Sequence, residues 1–148
     1  YICGNGGSGA NAIHIENDLT YAASRSSKRG LNINCLNSNS SVLTCLGNDT
    51  NFRYIFSKQL ESKAKKNDLL IILSGSGNSQ NIVESIKVAK KNNLDTFGII
   101  GFDGGKVKKI VHNYIHIPSF NMQICEDIQM NIFHIITDQL SKVNINIT

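Results

Sequence analysis

The chain has 148 residues, of which 41% are hydrophobic, so it is long enough for one domain with its own core and too short for two of ordinary size. Its formal net charge of +4 comes with short lysine-rich runs that contain few aromatic residues, and such runs indicate solvated helix faces more than a nucleic-acid surface. Because no apolar run approaches the about 18 residues of a membrane span and no secretory signal opens the chain, we expect a cytoplasmic protein without nucleic-acid or membrane partners.

The first residue, Tyr1, already stands inside a strand pattern. We therefore expect residues 1–148 to form a single domain that is preceded by further residues in a longer protein. The cysteines form no C-x-x-C pair, and those in apolar segments are typical of small core residues, so we expect free thiols without catalytic duty. They are Cys3, Cys35, Cys45 and Cys125.

Short apolar segments rich in isoleucine and leucine alternate with helical patterns along the chain. This alternation predicts an α/β fold, a three-layer αβα sandwich around a five-stranded parallel sheet. The predicted strands are Tyr1–Cys3, Leu31–Leu36, Leu69–Leu73, Phe97–Ile100 and Tyr114–Ile117. The predicted helices span about Ala10 to Ser24, Phe52 to Leu60, Ile82 to Ala89 and Gln123 to Leu140.

A weak internal repeat relates two loops. Tyr1–Ser8 (YICGNGGS) resembles Ile72–Ser79 (ILSGSGNS), and each stretch is a strand, a loop of glycine and small polar residues, and the start of a helix. If the first and third predicted strands are neighbours, as in the doubly wound order 2-1-3-4-5, the two loops meet at the topological switch point where ligands bind. We therefore expect both loops to form one site.

The second of these loops suits a phosphate monoester. Gly75 and Gly77 permit close backbone approach, and the following helix offers unpaired N–H groups and the positive end of its dipole. The hydroxyls of Ser74, Ser76 and Ser79 add further donors at the same point. The alternative is that Ser79 merely caps its helix and the glycines form a tight turn.

The first loop raises the possibility of a dinucleotide site, because Gly4, Gly6 and Gly9 have the spacing G-x-G-x-x-G after a strand. The acidic residue that binds ribose in such sites is missing, since the second predicted strand ends in Leu36-Asn37-Ser38. A nucleotide P-loop is also missing from the sequence. These absences disfavour a cofactor-dependent oxidoreductase.

Four stretches carry a resemblance that covers nearly the whole chain in register. They are GNGGSGANAIHIENDL from Gly4 to Leu19, CLGNDTNF, LSGSGNSQN from Leu73 to Asn81, and GFDGGK. Together they resemble the sugar isomerase (SIS) domain family, closest to the sedoheptulose 7-phosphate isomerases, or phosphoheptose isomerases.

The resemblance implies a flavodoxin-like sheet, a homotetramer with active sites shared between subunits, and extra N-terminal helices before Tyr1. It implies isomerisation of sedoheptulose 7-phosphate to D-glycero-D-manno-heptose 7-phosphate through an enediol(ate), within heptose biosynthesis for lipopolysaccharide or capsule. Matched position by position, the residues that bind the phosphosugar are Asn5, Gly6, Ser8, Asp49, Ser74, Ser76 and Ser79.

The resemblance also implies a zinc ion, or another divalent metal, held by two pairs of residues. His14 and Asp18 stand where the family has His-x-x-x-Glu, and residues four apart share a helix face. Glu126 and His134 stand where the family has Gln and His; eight residues apart, they are separated by about 80° around a helix and can also converge. Asp18 and Glu126 depart from the family pattern, but two imidazoles and two carboxylates still suit a divalent ion.

The implied chemistry needs a base beside the carbon that loses its proton and an acid for the oxygens. We expect Glu126 or Asp18 to be the base and His134 the acid/base partner, and we expect His112 and His116 to be structural. Two alternatives stay open: a non-catalytic SIS protein that senses sugar phosphates or regulates other proteins, one such relative assisting replication initiation, and an isomerase of another phosphosugar.

Overall fold

A four-stranded parallel sheet forms the centre of the fold in the computed structural model, which describes residues 1–21 and 30–142. The strands lie side by side in chain order, and Gly4 pairs with Leu73 at the carboxyl edge of the first two. The strands are Ile2–Gly4 (β1), Leu69–Ser74 (β2), Asp95–Ile100 (β3) and Asn113–His116 (β4).

Helices cover both faces of the sheet, as the three-layer prediction requires. Successive strand residues point to opposite faces, and Ile72 and Leu73 accordingly belong to two separate hydrophobic clusters. α4 packs into the cluster of Ile72, whereas α1 and α6 pack into the other. The helices are Gly6–Tyr21 (α1), Ser40–Asp49 (α2), Ser57–Lys63 (α3), Gln80–Lys91 (α4), Val107–Ile110 (α5) and Met122–Lys142 (α6).

The second predicted strand, Leu31–Leu36, is the one that the structure does not form. It makes only a single bridge, in which Cys35 lies parallel to Ile2. Two backbone hydrogen bonds join it to β1, from the Ile2 N–H to the Asn34 carbonyl at 3.2 Å and from the Leu36 N–H to the Ile2 carbonyl at 2.9 Å. Its other N–H groups include that of Leu31, which donates to the Leu19 carbonyl at 3.0 Å, and that of Cys35, which donates to the Glu16 carboxylate at 2.6 Å. Among the described residues the sheet therefore has four strands rather than five, although the segment borders β1, where the order 2-1-3-4-5 places it.

Helix boundaries differ from the prediction in a few places. α1 begins at Gly6 rather than Ala10, so the glycines of the first loop already form its first turn, and the predicted end near Ser24 lies outside the described residues. The predicted helix from Phe52 to Leu60 is split into a 3₁₀ turn, Phe52–Tyr54, and α3. α2 was not predicted; none of its residues is fully buried, and Leu43 and Leu46 pack against the core only partly buried. None of the helices in the described ranges has the length and hydropathy of a membrane span.

The cysteines are unpaired, as expected from their spacing. Cys3, Cys35 and Cys125 are buried, and burial raises the pKa of the Cys3 thiol to about 12. Cys45 is exposed on α2. A thiol that stays protonated at neutral pH is a poor nucleophile, so the buried Cys3 acts as a core side chain.

Candidate active site

The two repeated loops meet at the carboxyl edge of β1 and β2, because these strands are neighbours in the sheet. Between them lies a small cavity of about 70 Å³. The expectation that both loops form one site is met by this cavity. Its lining contains most of the predicted phosphosugar residues, namely Asn5, Ser8, Ser74, Ser76 and Ser79, together with Leu73, Gly75 and Met122.

The serine loop is organised by its own hydroxyls. The buried Ser74 accepts a hydrogen bond from the Gly77 N–H at 3.0 Å, and Ser76 accepts one from the Asn78 N–H at 3.3 Å. Ser79 occupies the N-cap position of α4 but makes no side-chain capping hydrogen bond. The Ser79 side chain therefore does not cap α4 with a hydrogen bond, and Ser79 lines the cavity.

Asn5, a predicted phosphosugar residue, pairs with Asn81, to which the sequence analysis assigned no role, and this pair joins the first loop to the start of α4. Asn5 donates to the Asn81 side chain at 2.9 Å, and Asn81 donates back to Asn5 at 2.8 Å. Asn81 is buried, so this double amide contact is shielded from water. Asn37 holds the first loop from the other side by bonding both backbone groups of Gly4. Asn5 lies inside the first repeated stretch, whereas Asn81 lies two residues beyond the second one, at the end of LSGSGNSQN.

Three of the four predicted metal ligands come together on the outer side of α1 and α6. The Asp18 carboxylate lies 3.4 Å from His14 Nε2 and 3.7 Å from His134 Nε2, and the two imidazole nitrogens lie 3.4 Å apart. These atoms all lie within 4.8 Å of one another. Both histidine side chains are about half exposed, at 53%. Two imidazoles and one carboxylate are a donor set that fits zinc and leaves a coordination position open.

Glu126, the fourth predicted metal ligand, does not join this group in the structure. Its carboxylate accepts a hydrogen bond from the Ser8 N–H at 3.1 Å, at the beginning of α1. Eight helical residues separate the backbones of Glu126 and His134 by about 12 Å. The unpaired N–H groups and positive dipole end of α1 attract the carboxylate locally. Glu126 therefore lies beside Ser8 and the cavity instead of in the histidine group.

The contacts of Glu126 depend on a glycine. A β-carbon at Gly7 would come within 2.2 Å of the Glu126 carboxylate, so any other residue at position 7 would displace the carboxylate. Asn11 adds a further link, since its side chain donates to the Glu126 carbonyl at 2.9 Å and to the Gln129 side chain at 3.2 Å. The beginning of α1 and the beginning of α6 thus form one hydrogen-bonded unit beside the cavity.

Two further predicted residues do not line the cavity. Gly6 begins α1 with a φ of +54°, and it shapes the first loop rather than contacting the hollow. Asp49 lies exposed at the end of α2, where hydrogen bonds from Asn48 and Cys45 hold the pKa of its carboxyl below the ordinary value. Within the described part of the chain, Asp49 therefore stands apart from the serines.

The remaining histidines make structural contacts. His112, which lies beyond the end of α5, accepts from the Thr96 N–H at 3.2 Å and donates its own N–H to the Thr96 hydroxyl at 3.0 Å. His116 in β4 contacts the Phe102 carbonyl at 2.9 Å and the Lys108 ammonium at 3.2 Å. Each histidine ties neighbouring segments together, in line with the structural role expected of both.

The sequence of the chain is similar to those of known proteins. Residues 1–101 match the SIS domain family. A phosphoheptose isomerase of Nitratiruptor sp. is 37% identical over 141 residues, which cover 95% of this chain and 75% of that protein. A phosphoheptose isomerase of Fusobacterium nucleatum is 37% identical over 142 residues, covering 96% and 72%.

Solved structures agree with this placement. A phosphoheptose isomerase from Neisseria gonorrhoeae superposes with a TM-score of 0.87 at 29% identity, covering 96% of this chain and 75% of that one. The corresponding structure from Francisella tularensis gives a TM-score of 0.86 at 25% identity, covering 96% and 74%.

Proposed function

Because the chain belongs to the SIS-domain family, in its phosphoheptose isomerase group, we propose that it is an aldose–ketose isomerase that converts sedoheptulose 7-phosphate to D-glycero-D-manno-heptose 7-phosphate. The observation that carries the proposal is the contact between the cavity and a carboxylate: Ser8 lines the cavity, and its N–H binds Glu126. One end of a sugar phosphate is thereby held next to a base.

The serine cavity binds the phosphate in this proposal. A volume of about 70 Å³ suits a compact group such as a phosphate and excludes a whole heptose. The donors are the hydroxyls of Ser76 and Ser79 and the unpaired N–H groups at the start of α4, where the helix dipole also favours an anion. Asn5, fixed by its amide pair with Asn81, borders the same space.

Glu126 is the proposed general base. It removes the proton from the carbon beside the carbonyl, an enediol(ate) forms, and the proton returns at the neighbouring carbon. Asp18, the other candidate, contacts the two imidazoles of the histidine group, whereas Glu126 bonds to Ser8 in the lining of the cavity. His134 is the proposed acid/base partner for the substrate oxygens. The swap of a long and a short carboxylate relative to the family pattern thus leaves the long one bonded to Ser8, which lines the cavity.

His14, Asp18 and His134 would hold the zinc ion in this proposal, since their ligand atoms lie within 4.8 Å of one another. Bound there, the metal would supply positive charge that stabilises oxygens on the reacting sugar or fixes the surrounding side chains. The chain's own contribution is to orient the imidazoles, because the Asp18 carboxylate lies 3.4 Å from one and 3.7 Å from the other.

The homotetramer with shared active sites is also part of the proposal. The histidine group faces outward, and large apolar side chains next to it in sequence are exposed: Ile13 at 46% and Ile135 at 63%. Exposed apolar side chains beside a site with an open coordination position are typical of a surface that another subunit covers. A cytoplasmic location fits the unpaired cysteines, which suit a reducing compartment.

The proposal is tested by incubating the protein with a panel of ketose phosphates and following the aldose product. Turnover of sedoheptulose 7-phosphate above all other substrates is expected. Preference for another ketose phosphate would favour the alternative isomerase, which the exchanged carboxylates at Asp18 and Glu126 also permit. Binding of phosphosugars without turnover of any would favour the non-catalytic sensor.

A matched variant separates binding from catalysis. Glu126→Gln keeps the shape of the side chain and removes the base, so kcat is expected to fall by about 10²–10⁴-fold while the Kd for sedoheptulose 7-phosphate stays nearly constant. Asp127→Asn, an exposed neighbour on the same helix, serves as the control and should keep full turnover. Retained turnover in Glu126→Gln would remove Glu126 from the mechanism.

A further inference from the structure

A second, larger hollow lies between the 3₁₀ turn, α4 and α5, and it is lined by cations. Its volume is about 390 Å³, against about 70 Å³ for the serine cavity. Four basic side chains line it together with a single carboxylate, that of Glu84. We call this hollow the basic groove; its cations are Arg53, Lys87, Lys106 and Lys109.

The charge of the basic groove is unbalanced. Glu84 is already engaged by two of the cations, since Arg53 Nη2 lies 2.5 Å and Lys87 Nζ lies 2.9 Å from its Oε1. Those contacts, first with Lys87 and then with Arg53, lower the pKa of the Glu84 carboxyl, so it is ionised at neutral pH. Lys106 and Lys109 have no carboxylate partner among the described residues. The wall formed by these two lysines therefore carries free positive charge.

The free wall of the basic groove is attached directly to the serine loop. The Lys106 N–H donates to the Asn78 side chain at 3.1 Å, and the Val107 N–H donates to the Gly77 carbonyl at 2.9 Å. A β-carbon at Gly77 would come within 2.2 Å of the Gly104 carbonyl, so the two loops touch closely. This contact gives a structural reason for GFDGGK, the one stretch of the family resemblance to which the sequence assigned no role.

We propose that the basic groove binds the polyphosphate group of a small molecule, as a second site beside the serine cavity. Two unpaired ammonium groups match a ligand with at least two negative charges, and charge-assisted hydrogen bonds to phosphate are strong. Among the described residues no aromatic side chain lines the groove, so the phosphate chain rather than a nucleobase is the recognised group. Asn78 and Gln80 belong to this lining and flank Ser79, so the groove adjoins the serine loop.

Inorganic pyrophosphate is the probe, titrated into the whole protein by calorimetry at low and high salt. Wild type is expected to bind pyrophosphate and a nucleoside diphosphate with similar affinity, and both affinities should fall as salt screens the lysines. Lys109→Ala and Lys106→Ala should each weaken binding by about tenfold, the size of one charge-assisted hydrogen bond. Lys66→Ala, an exposed lysine remote from the groove in the chain, is the control and should bind as wild type.

Several results would overturn the proposal. Unchanged pyrophosphate affinity in both lysine variants would show that these side chains do not bind it. If Ser79→Ala lost pyrophosphate binding while both lysine variants kept it, the anion would be bound in the serine cavity. Binding of the nucleotide alone would mean that the base is recognised. Because Lys106 and Lys109 are exposed, their variants should keep the thermal unfolding midpoint, and sugar-phosphate turnover, measured separately, tests the isomerase proposal alone.

Discussion

Substitution of Gly7 by alanine tests the placement of the proposed base without touching it. An alanine β-carbon at this position would lie 2.2 Å from Glu126 Oε2 and 2.4 Å from its carboxyl carbon. Ordinary contact begins near 3.4 Å, so the carboxylate must withdraw by about 1 Å from Ser8 and the cavity. A misplacement of about 1 Å in a catalytic group costs about 10²-fold in rate.

The effect of Gly7→Ala on stability is expected to be much smaller. Alanine favours the helix over glycine by about 1 kcal/mol, and loss of the Ser8–Glu126 hydrogen bond costs about 1.5–3 kcal/mol. Since the carboxylate is the movable end of a flexible side chain, the helix gain offsets part of this loss and leaves a net loss of about 0.5–2 kcal/mol. The variant should therefore fold normally and lose kcat.

The assay compares Gly7→Ala with Gly47→Ala by steady-state turnover of sedoheptulose 7-phosphate and by urea unfolding. A β-carbon at Gly47 meets nothing within 4 Å, so this control should keep full activity and gain up to about 1 kcal/mol. Full activity in Gly7→Ala would refute the reasoning, because it would mean that the present position of the Glu126 carboxylate does not matter for the reaction.

Further predictions concern the metal, the assembly, the thiols and acid stability. His134→Ala should contain less zinc than wild type in elemental analysis. Zinc retained at wild-type levels would show that the histidine group is not the zinc site. Ile135→Glu should lower the mass measured by light scattering; an unchanged mass would contradict a subunit interface at this face. Iodoacetamide should label Cys45 and leave Cys3 unlabelled in the native protein, and early labelling of Cys3 would contradict its burial. Because folding lowers the pKa of Glu84 below its ordinary value of 4.5, its stabilising contribution is complete above that pH and is lost as the pH falls through the folded value. Glu84→Gln should therefore flatten the acid limb of the urea midpoint, and an unchanged limb would contradict the ion pair.

Local sequence patterns predicted the elements that carry strong signals. The continuous apolar runs of β2 and β3 are buried against helices on both faces, which is why composition alone indicated them. Leu31–Leu36 alternates apolar residues with Asn32 and Asn34, and it joins β1 only through Ile2. The Leu31 and Cys35 N–H groups bond instead to the end of α1 and to Glu16, and a local pattern cannot show these tertiary contacts. α2 was not predicted because its core-facing residues, Leu43 and Leu46, are only partly buried and give a weak apolar pattern.

The site divides in the same way. The repeat of YICGNGGS in ILSGSGNS predicted that two loops meet, because parallel neighbouring strands bring their carboxyl ends together. Helical spacing predicted the contact of His14 with Asp18. The position of Glu126 could not be predicted from its angle around α6. Its carboxylate accepts a hydrogen bond from the Ser8 N–H of α1, and it fits there only because Gly7 has no side chain.

The account depends most on the serine cavity and Glu126 acting on one molecule. A crystal structure of Glu126→Gln with sedoheptulose 7-phosphate tests this directly, because the variant binds the substrate without consuming it. The account predicts the phosphate among Ser74, Ser76 and Ser79, with the first two carbons of the sugar within hydrogen-bond reach of residue 126. A phosphate bound elsewhere, or those carbons beside Asp18 instead, would contradict it.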